Sequence, residues 1–531
     1  MANKNLFQST RGKNLPQTNT TNLAGGHAYA FGPQHALAQY LSTGCLNGTF
    51  YASADEQLNK IMDFSSQIDD HFLAKAAIYS RQVAHMKDTP ALMCAILATR
   101  DVELLAEVFP QVIDNGKMLR NFVQIIRSGI TGRKSLGSAP KRMIQSWLNR
   151  ASDDQLLRAS IGQSPSLADV IKMVHPRPKT AQREAFYAYI IGRSYKAENL
   201  PPLIRAYETW KMTREGAPPR IPFQMLTSLE LKKRDWITIA KDAPWQMTRM
   251  NLNTFSRHGV FDAMGVANKI ANRLKNERLI SKSRAFPYQL MAAYLNADCD
   301  VPNKIKNALQ DAMEIALKNV PEIKGNIIVC TDVSGSMHSA VTGYRKGASS
   351  KVRCLDVAAL VTAAILRKNP DAIVLPFEND VVNVALNPRD SVMTNAAKLA
   401  NLPCGGTNCS APLKWLNHYK RPVDMVIFVS DNESWIDSPH YGYFGGGATQ
   451  TMKEWQKLKQ RNYKARMVCI DITPNESTQA KEREDILNIG GFSDQVFKTI
   501  SAFAQKTIHP DHWIGEINQI KIKTAMKQKA S

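Results

Sequence analysis

Three short oxygen-rich stretches carry the clearest chemistry in this 531-residue chain. The first reads Asp332-Val333-Ser334-Gly335-Ser336, the second Gly405-Gly406-Thr407, and the third Ser430-Asp431. Asp332, Ser334, Ser336, Thr407 and Asp431 together offer two carboxylates and three hydroxyls, with no thiolate or imidazole among them. Hard oxygen donors of this kind suit Mg²⁺ or Mn²⁺, which take few carboxylates and complete their octahedron with water or an incoming acidic group. Ser334 and Ser336 alone would fit a helix cap equally well, because short polar residues after a strand cap helices routinely. Thr407 and Asp431, each at the end of its own element, tip the balance toward a metal. A serine nucleophile is disfavoured, since the G-x-S-x-G elbow is missing and His338 reads as a loop residue. Cys404 and Cys409 lack the second pair or the histidines that a zinc site requires.

Such turns need strands to end on and helices to follow. Residues 326–331 (NIIVCT) form a continuous apolar run of the kind found in buried parallel strands, and 352–367 read as a long apolar helix. Further strands are expected at 372–377, 381–386, 424–430 and 465–472, with helices near 391–402, 411–419 and 452–462. Strands alternating with helices imply a doubly wound α/β sheet, whose ligands sit beyond the carboxyl ends of the strands. All three turns fall there. The D-x-S-x-S spacing with a distant Thr and Asp resembles the metal-ion-dependent adhesion site of von Willebrand factor A domains.

Residues 20–320 read differently, as helix after helix. Ser53 and Glu56 form a capping box, and Thr89-Pro90 supplies a cap and an N1 proline. Phe72, Ala76, Tyr79 and Val83 recur at helical spacing, as do Leu119, Phe122, Val123 and Ile126, then Met143 and Trp147. Helices joined by short polar turns without a strict period suggest an α-solenoid of antiparallel pairs.

The chain carries 68 Lys and Arg against 46 Asp and Glu, net +22, which points to a phosphate-rich partner. Residues 1–320 hold net +16 of that charge. Within them, 115–150 contain Lys117, Arg120, Arg127, Arg133, Lys134, Lys141, Arg142 and Arg150 and no carboxylate. A solvated helical face would explain a run of this kind in most proteins; the charge of the whole chain favours a nucleic-acid surface. An apolar fraction of 44% excludes a disordered chain, and the length excludes a single small module. The polar first thirty residues hold no secretory signal, and no apolar run reaches membrane-spanning length. With eight scattered cysteines, the expectation is a cytoplasmic protein with reduced thiols.

In combination, NLAGGHAY (22–29), Gly44, GTFY (48–51), RSGITGR (127–133), HPRP (175–178), DVSGSM (332–337), GGTNCS (405–410) and SDNE (430–433) are highly specific. On them the chain resembles the Ro (TROVE-domain) RNA-binding proteins, bacterial-like members included, over about residues 22–513. The resemblance implies a ring of HEAT-like repeats (21–320) closed by a von Willebrand factor A domain (321–515, with the metal site); a flexible N-terminus (1–20) and a basic C-terminal tail (516–531) flank them, the chain after Trp513 reading as frayed. It also implies Y RNA on the basic outer surface, single-stranded 3′ ends of misfolded RNAs in the hole, and Arg158, Lys172 and His175 as further RNA contacts. Partners so implied are an exoribonuclease such as polynucleotide phosphorylase and no membrane, for a monomeric, non-enzymatic scaffold in RNA quality control and decay. Without the resemblance, His175 would read as a helix-end residue. The loop 441–447 (YGYFGGG) near the metal turns departs from the family pattern. The competing function is a metal-dependent protein-binding adaptor; an RNA-cleaving enzyme is weak, since no general-base pair is visible.

Overall fold

The computed structural model describes residues 15–44, 46–283, 287–318, 320–344, 352–438, 447–505 and 512–523. From Pro33–Thr43 to Asn303–Ala316 the chain is a succession of helices, most of them packed on near neighbours in the chain. The Gly116–Ser128 helix shows why. Met118, Leu119, Phe122, Val123 and Ile126 recur at three- and four-residue intervals and are all buried, which turns Lys117 and Arg127 to solvent. Ser53 and Glu56 make the expected capping box, worth about 1 kcal/mol. Two details differ from expectation. The next-but-one helix begins at Asp88, ahead of Thr89, which is buried and does not cap it; and the buried stripe of Ser138–Arg150 is Ile144, Trp147 and Leu148, with Met143 at its margin.

The second part is a five-stranded parallel sheet in the order Ile373–Val374, Ile327–Thr331, Met425–Ser430, Arg466–Asp471, Ile486–Gly490. Its four longer strands are buried on both faces. Ile327, Val329, Ile427 and Val429 share a core with the Cys354–Lys368 helix, while Ile328, Cys330, Val426 and Phe428 pack with Met452 and Trp455 on the other side. This period-2 division between two apolar layers is why the strands read as unbroken hydrophobic runs. The solenoid and the doubly wound sheet are thus both present.

Residues 381–386 do not form the expected strand. Only Val381 makes a bridge, to Phe377, because the edge strand stops after two residues and Pro376 offers no amide to a ladder. The strand Ile486–Gly490 was not foreseen, being short and interrupted by Asn488, whose side chain is satisfied by Thr478 and Ala480.

Both ends of the helical array pack on the sheet domain. At the first end, Pro33–Thr43 lies against Ile486–Gly490, and His512–Asn518 packs on Asp70–Gln82. There Trp513 is fully buried and donates from Nε1 to the Tyr79 hydroxyl at 2.8 Å. Ile517 is also fully buried, so the chain is ordered by packing beyond 515, where fraying was expected. At the other end, Pro287–Leu295 and Asn303–Ala316 meet Cys354–Lys368 and Val392–Ala400. The sheet domain closes the array into a circuit. His27–Ala30 pairs with Ser477–Thr478 and Thr20–Thr21 with His27–Ala30, which stitches the N-terminal segment to the sheet domain rather than to the helices. Residues 1–14, 441–446 and 524–531, which carry parts of the expected N-terminus, loop and tail, lie outside the described residues.

Candidate metal centre and basic face

The strand order reverses between Ile327–Thr331 and Met425–Ser430, and the three oxygen-rich turns meet at that point. Because Thr331 pairs with Val429, the next residues, Asp332 and Ser430, emerge side by side. Asp332 Oδ2 accepts from Ser430 Oγ at 2.5 Å, and its Oδ1 accepts from the Ser334 amide at 2.9 Å. The Ser334 and Ser336 hydroxyl oxygens lie 3.3 Å apart. Gly335 N donates to Gly405 O at 2.9 Å, and Thr407 O accepts from the Trp435 and Ile436 amides, so backbone bonds lock the three turns to one another. Asp332, Ser334 and Ser336 share one turn beside Asp431, and backbone bonds hold the Thr407 turn near it; exposures are 0% for Asp332 and Ser334, 5% for Ser336, 1% for Thr407 and 2% for Asp431.

Burial first, and the neighbouring Asp431 carboxylate second, push the Asp332 carboxyl up to about 7; burial also raises Asp431. Glu433, two residues on, is raised to about 8 for the same two reasons, and it accepts a hydrogen bond from the Ala24 amide. Asp471, at the end of the adjacent strand, is raised by burial and accepts from Gln39 of the first helix at 2.8 Å. Acidic groups crowded at one dry sheet edge repel one another, and a divalent cation held by Asp332 and Asp431 would relieve that repulsion. Two carboxylates with three hydroxyls fit Mg²⁺ or Mn²⁺ by donor chemistry. Among the described residues no three His, Cys, Asp or Glu side chains gather into a metal cluster, so an ion held here would depend on the hydroxyls. His338 ends a short 3-10 turn and its Nδ1 lies 3.0 Å from Arg353 Nη1. Cys404 is exposed and Cys409 buried, and the described cysteines form no disulfide.

The sequence-predicted basic residues lie on four consecutive helices, Gly116–Ser128, Ser138–Arg150, Asp153–Ala159 and Leu167–Val174, or, for Arg133, Lys134 and His175, in the turns beside them; Gly116–Ser128 packs on Asp153–Ala159 and on Leu167–Val174, which also meets Ser138–Arg150. Lys117, Arg127, Lys134, Lys141, Arg142, Arg158, Lys172 and His175 are exposed. Arg133 is not free in the way expected. Its guanidinium donates to the Ala98, Ser135 and Leu136 carbonyls at 2.7–2.9 Å, so it staples a turn. Arg120 is half-buried, its charge penalised by desolvation, with Nη1 near Pro165 O. Arg158 is paired with Asp154 at 2.8 Å in an exposed i,i+4 bridge. His175 caps the Leu167–Val174 helix in the left-handed region at φ 49°.

Two participants at the metal turns escaped the sequence reading. Glu433 stands in the SDNE motif but offers no ligand spacing of its own. Tyr51 belongs to GTFY in the helical part, and burial first, then the Asp431 carboxylate, hold its phenol well above its ordinary range; nothing local connects it to these turns. No helix among the described residues is long and apolar enough to cross a membrane.

Comparison with known proteins agrees with this architecture. Residues 326–504 match the model of the Ro60 vWA domain. The chain is 23% identical to the RNA-binding protein RO60 of Deinococcus radiodurans, an alignment covering 94% of this chain and 99% of that one. It is 26% identical to the RNA-binding protein RO60 of Caenorhabditis elegans over 48% of this chain and 38% of that one. The crystal structure of the Deinococcus radiodurans RO (RSR) protein superposes with a TM-score of 0.60 at 19% identity, covering 90% of this chain and 100% of that chain.

Proposed function

We infer, starting from a chain that belongs to the Ro family, that this protein binds RNA and acts as a scaffold without turnover. Its ligands are a small noncoding Y RNA on the basic outer face and single-stranded 3′ ends of misfolded RNAs in the hole of the ring, in cytoplasmic RNA quality control and decay. The observation that carries this reading is the exposed basic face of the Gly116–Ser128 and Ser138–Arg150 helices with the turn between them: Lys117, Arg127, Lys134, Lys141, Arg142 and Arg150 reach solvent with no acidic side chain in residues 115–150 to neutralise them. Such a face binds phosphates by counterion release whatever the sequence, whereas a ring admits an unpaired end by shape. An electrophoretic shift with one structured RNA, blunt or carrying a single-stranded 3′ tail, tests it. The tailed form should bind more tightly; equal affinities would end the threading idea.

The metal turns supply the second half of the proposal. Asp332, Ser334, Ser336, Thr407 and Asp431 would hold one Mg²⁺ or Mn²⁺ directly or through water, and the ion would supply an electrophilic point that takes a carboxylate from a protein partner such as an exoribonuclease. This chain's own residues orient the donors and exclude solvent from them. Asp332→Ala should abolish Mn²⁺ binding measured by calorimetry while leaving RNA affinity within about twofold, because the basic face lies on other elements. An RNA loss as large as that of basic-face variants, in a folded protein, would overturn that division of labour.

A further inference from the structure

The sheet domain carries its own concentration of positive charge, away from the metal turns. The helices Ala411–His418 and Gln450–Arg461 pack on each other, and each leads into a strand, Met425–Ser430 and Arg466–Asp471 respectively. Their last turns therefore stand at the amino ends of the strands, opposite the metal turns. Residues 411–423 and 450–464 hold eight Lys and Arg against one carboxylate, Glu454, a net +7 where residues 321–531 as a whole carry only +6. That carboxylate is buried and already taken, by Lys457 at 2.7 Å and Asn417 at 2.8 Å, while Lys459 pairs with Asp485 at 3.3 Å. Lys420, Arg421, Lys453 and Lys464 are exposed and have no carboxylate partner among the described residues.

Cations at helix C-termini complement the macrodipole, and one at each end would do that. The aromatic rings set among them need another reason. Tyr419 is 55% exposed and Tyr463 72%, although rings of this size ordinarily add their area to a core or an interface. Trp415 lies 4.6 Å from Tyr419 with the Arg421 guanidinium 5.7 Å from its centre, and the Lys464 ammonium stands 5.4 Å from the centre of Tyr463. Side-chain bonds hold the two helix ends together: Arg461 Nη2 donates to Asn417 Oδ1 at 3.0 Å, Asn417 Nδ2 to Glu454 O at 2.9 Å, and Val423 N to Asn462 Oδ1 at 3.1 Å. Solvent-facing rings among cations match an unpaired strand, whose bases stack on rings while its phosphates meet Lys and Arg. A duplex hides its base faces and would use the charge alone; an acidic peptide has no bases to stack. We propose that the ends of these two helices form a platform for single-stranded RNA, on which Tyr419 and Tyr463 stack bases and Lys420, Arg421 and Lys464 neutralise phosphates. The platform goes beyond the RNA reading of the helical face and shares no residue with it. It also lies away from the carboxyl-end crevice where a doubly wound sheet ordinarily takes its ligand.

The experiment uses the full chain and a circular oligoadenylate of about 20 nucleotides, longer than one such platform covers and without a 3′ end to enter the hole of the ring. Binding is followed by fluorescence anisotropy over a range of salt. Tyr419→Ala combined with Tyr463→Ala should weaken the circle about tenfold or more, whereas Phe at both positions should keep it within about twofold of wild type, because ring faces and not hydroxyls do the stacking. Lys420→Ala combined with Lys464→Ala should lower the log–log salt slope by about 0.7 for each lost phosphate contact. In the wild-type protein, ultraviolet cross-linking of the circle should mark residues 411–423 and 450–464, a readout that needs no variant. Unchanged affinity in the double Ala variant of the tyrosines, or cross-links confined to the helical array, overturns the platform. Displacement of the circle by polyglutamate at equal charge concentration, with the rings immaterial, would make this a dock for an acidic protein and overturn it as well. If a tailed structured RNA failed to bind while the circle still marked these segments, the reading of the helical face would fall and the platform would stand.

Discussion

The metal turns and the basic face solve opposite problems. At the turns, five oxygen-bearing side chains are withdrawn almost completely from water, on turns that backbone hydrogen bonds fix to one another. On the helices, the long Lys and Arg side chains stand in solvent on stems that can move, as suits the irregular phosphate spacing of folded RNA. The first arrangement costs burial of like charge, visible in the raised carboxyls of Asp332, Asp431, Glu433 and Asp471. The second costs almost nothing in stability. One region is therefore sensitive to single atoms, and the other only to the sum of its charges.

The sharpest way to break this contrast is at the join between the two regions. Trp513→Ala removes a fully buried indole and its bond to Tyr79, and should cost about 3–5 kcal/mol in chemical denaturation. A loss below about 1 kcal/mol would mean that the circuit is not closed cooperatively through this helix. Next in size, reversing Lys134, Lys141 and Arg142 to Glu should weaken structured-RNA binding and flatten its salt dependence by about 0.7–0.9 in the log–log slope for each lost phosphate contact. Stability should hardly move, because all three side chains are exposed. An unchanged slope would reduce this window to a solvated face.

The smallest effect sharpens the electrostatic side. Burial raises the Asp471 carboxyl, so the folded chain keeps a proton there that the unfolded chain releases near pH 4. Stability in the presence of a chelator should accordingly fall as the pH rises from about 4, by at most about 1.4 kcal/mol per pH unit from this group. Asp471→Asn can still accept from Gln39, and urea midpoints at pH 5 and pH 8 should lie closer together than in wild type. A midpoint difference as large as wild type would place the titration elsewhere.

Much of this was legible because local chain geometry sets it. A strand that ends at Thr331 and continues into Asp332, Ser334 and Ser336 places those oxygens in one turn whatever surrounds it, so that arrangement could be read directly. The strands at 425–430 and 466–471 announced themselves because burial on both faces leaves no polar residue to interrupt them. Arg133 misled for the converse reason: charge is visible in a sequence, whereas three carbonyls converging on a guanidinium are not. The edge at 381–386 misled because alternating apolar residues cover a core equally well with or without a ladder.

The sequence by itself thus determined which oxygen-bearing side chains stand in the three turns, the alternation that builds a doubly wound sheet, the helical array and where its positive charge lies. Each of these depends on residues near one another in the chain. Tertiary structure alone decided that the array closes through the sheet domain, that Gln39 reaches Asp471, and that Trp513 reaches Tyr79. Those contacts join segments far apart in sequence, and they form only because packing of the helices against the sheet fixes the path between them.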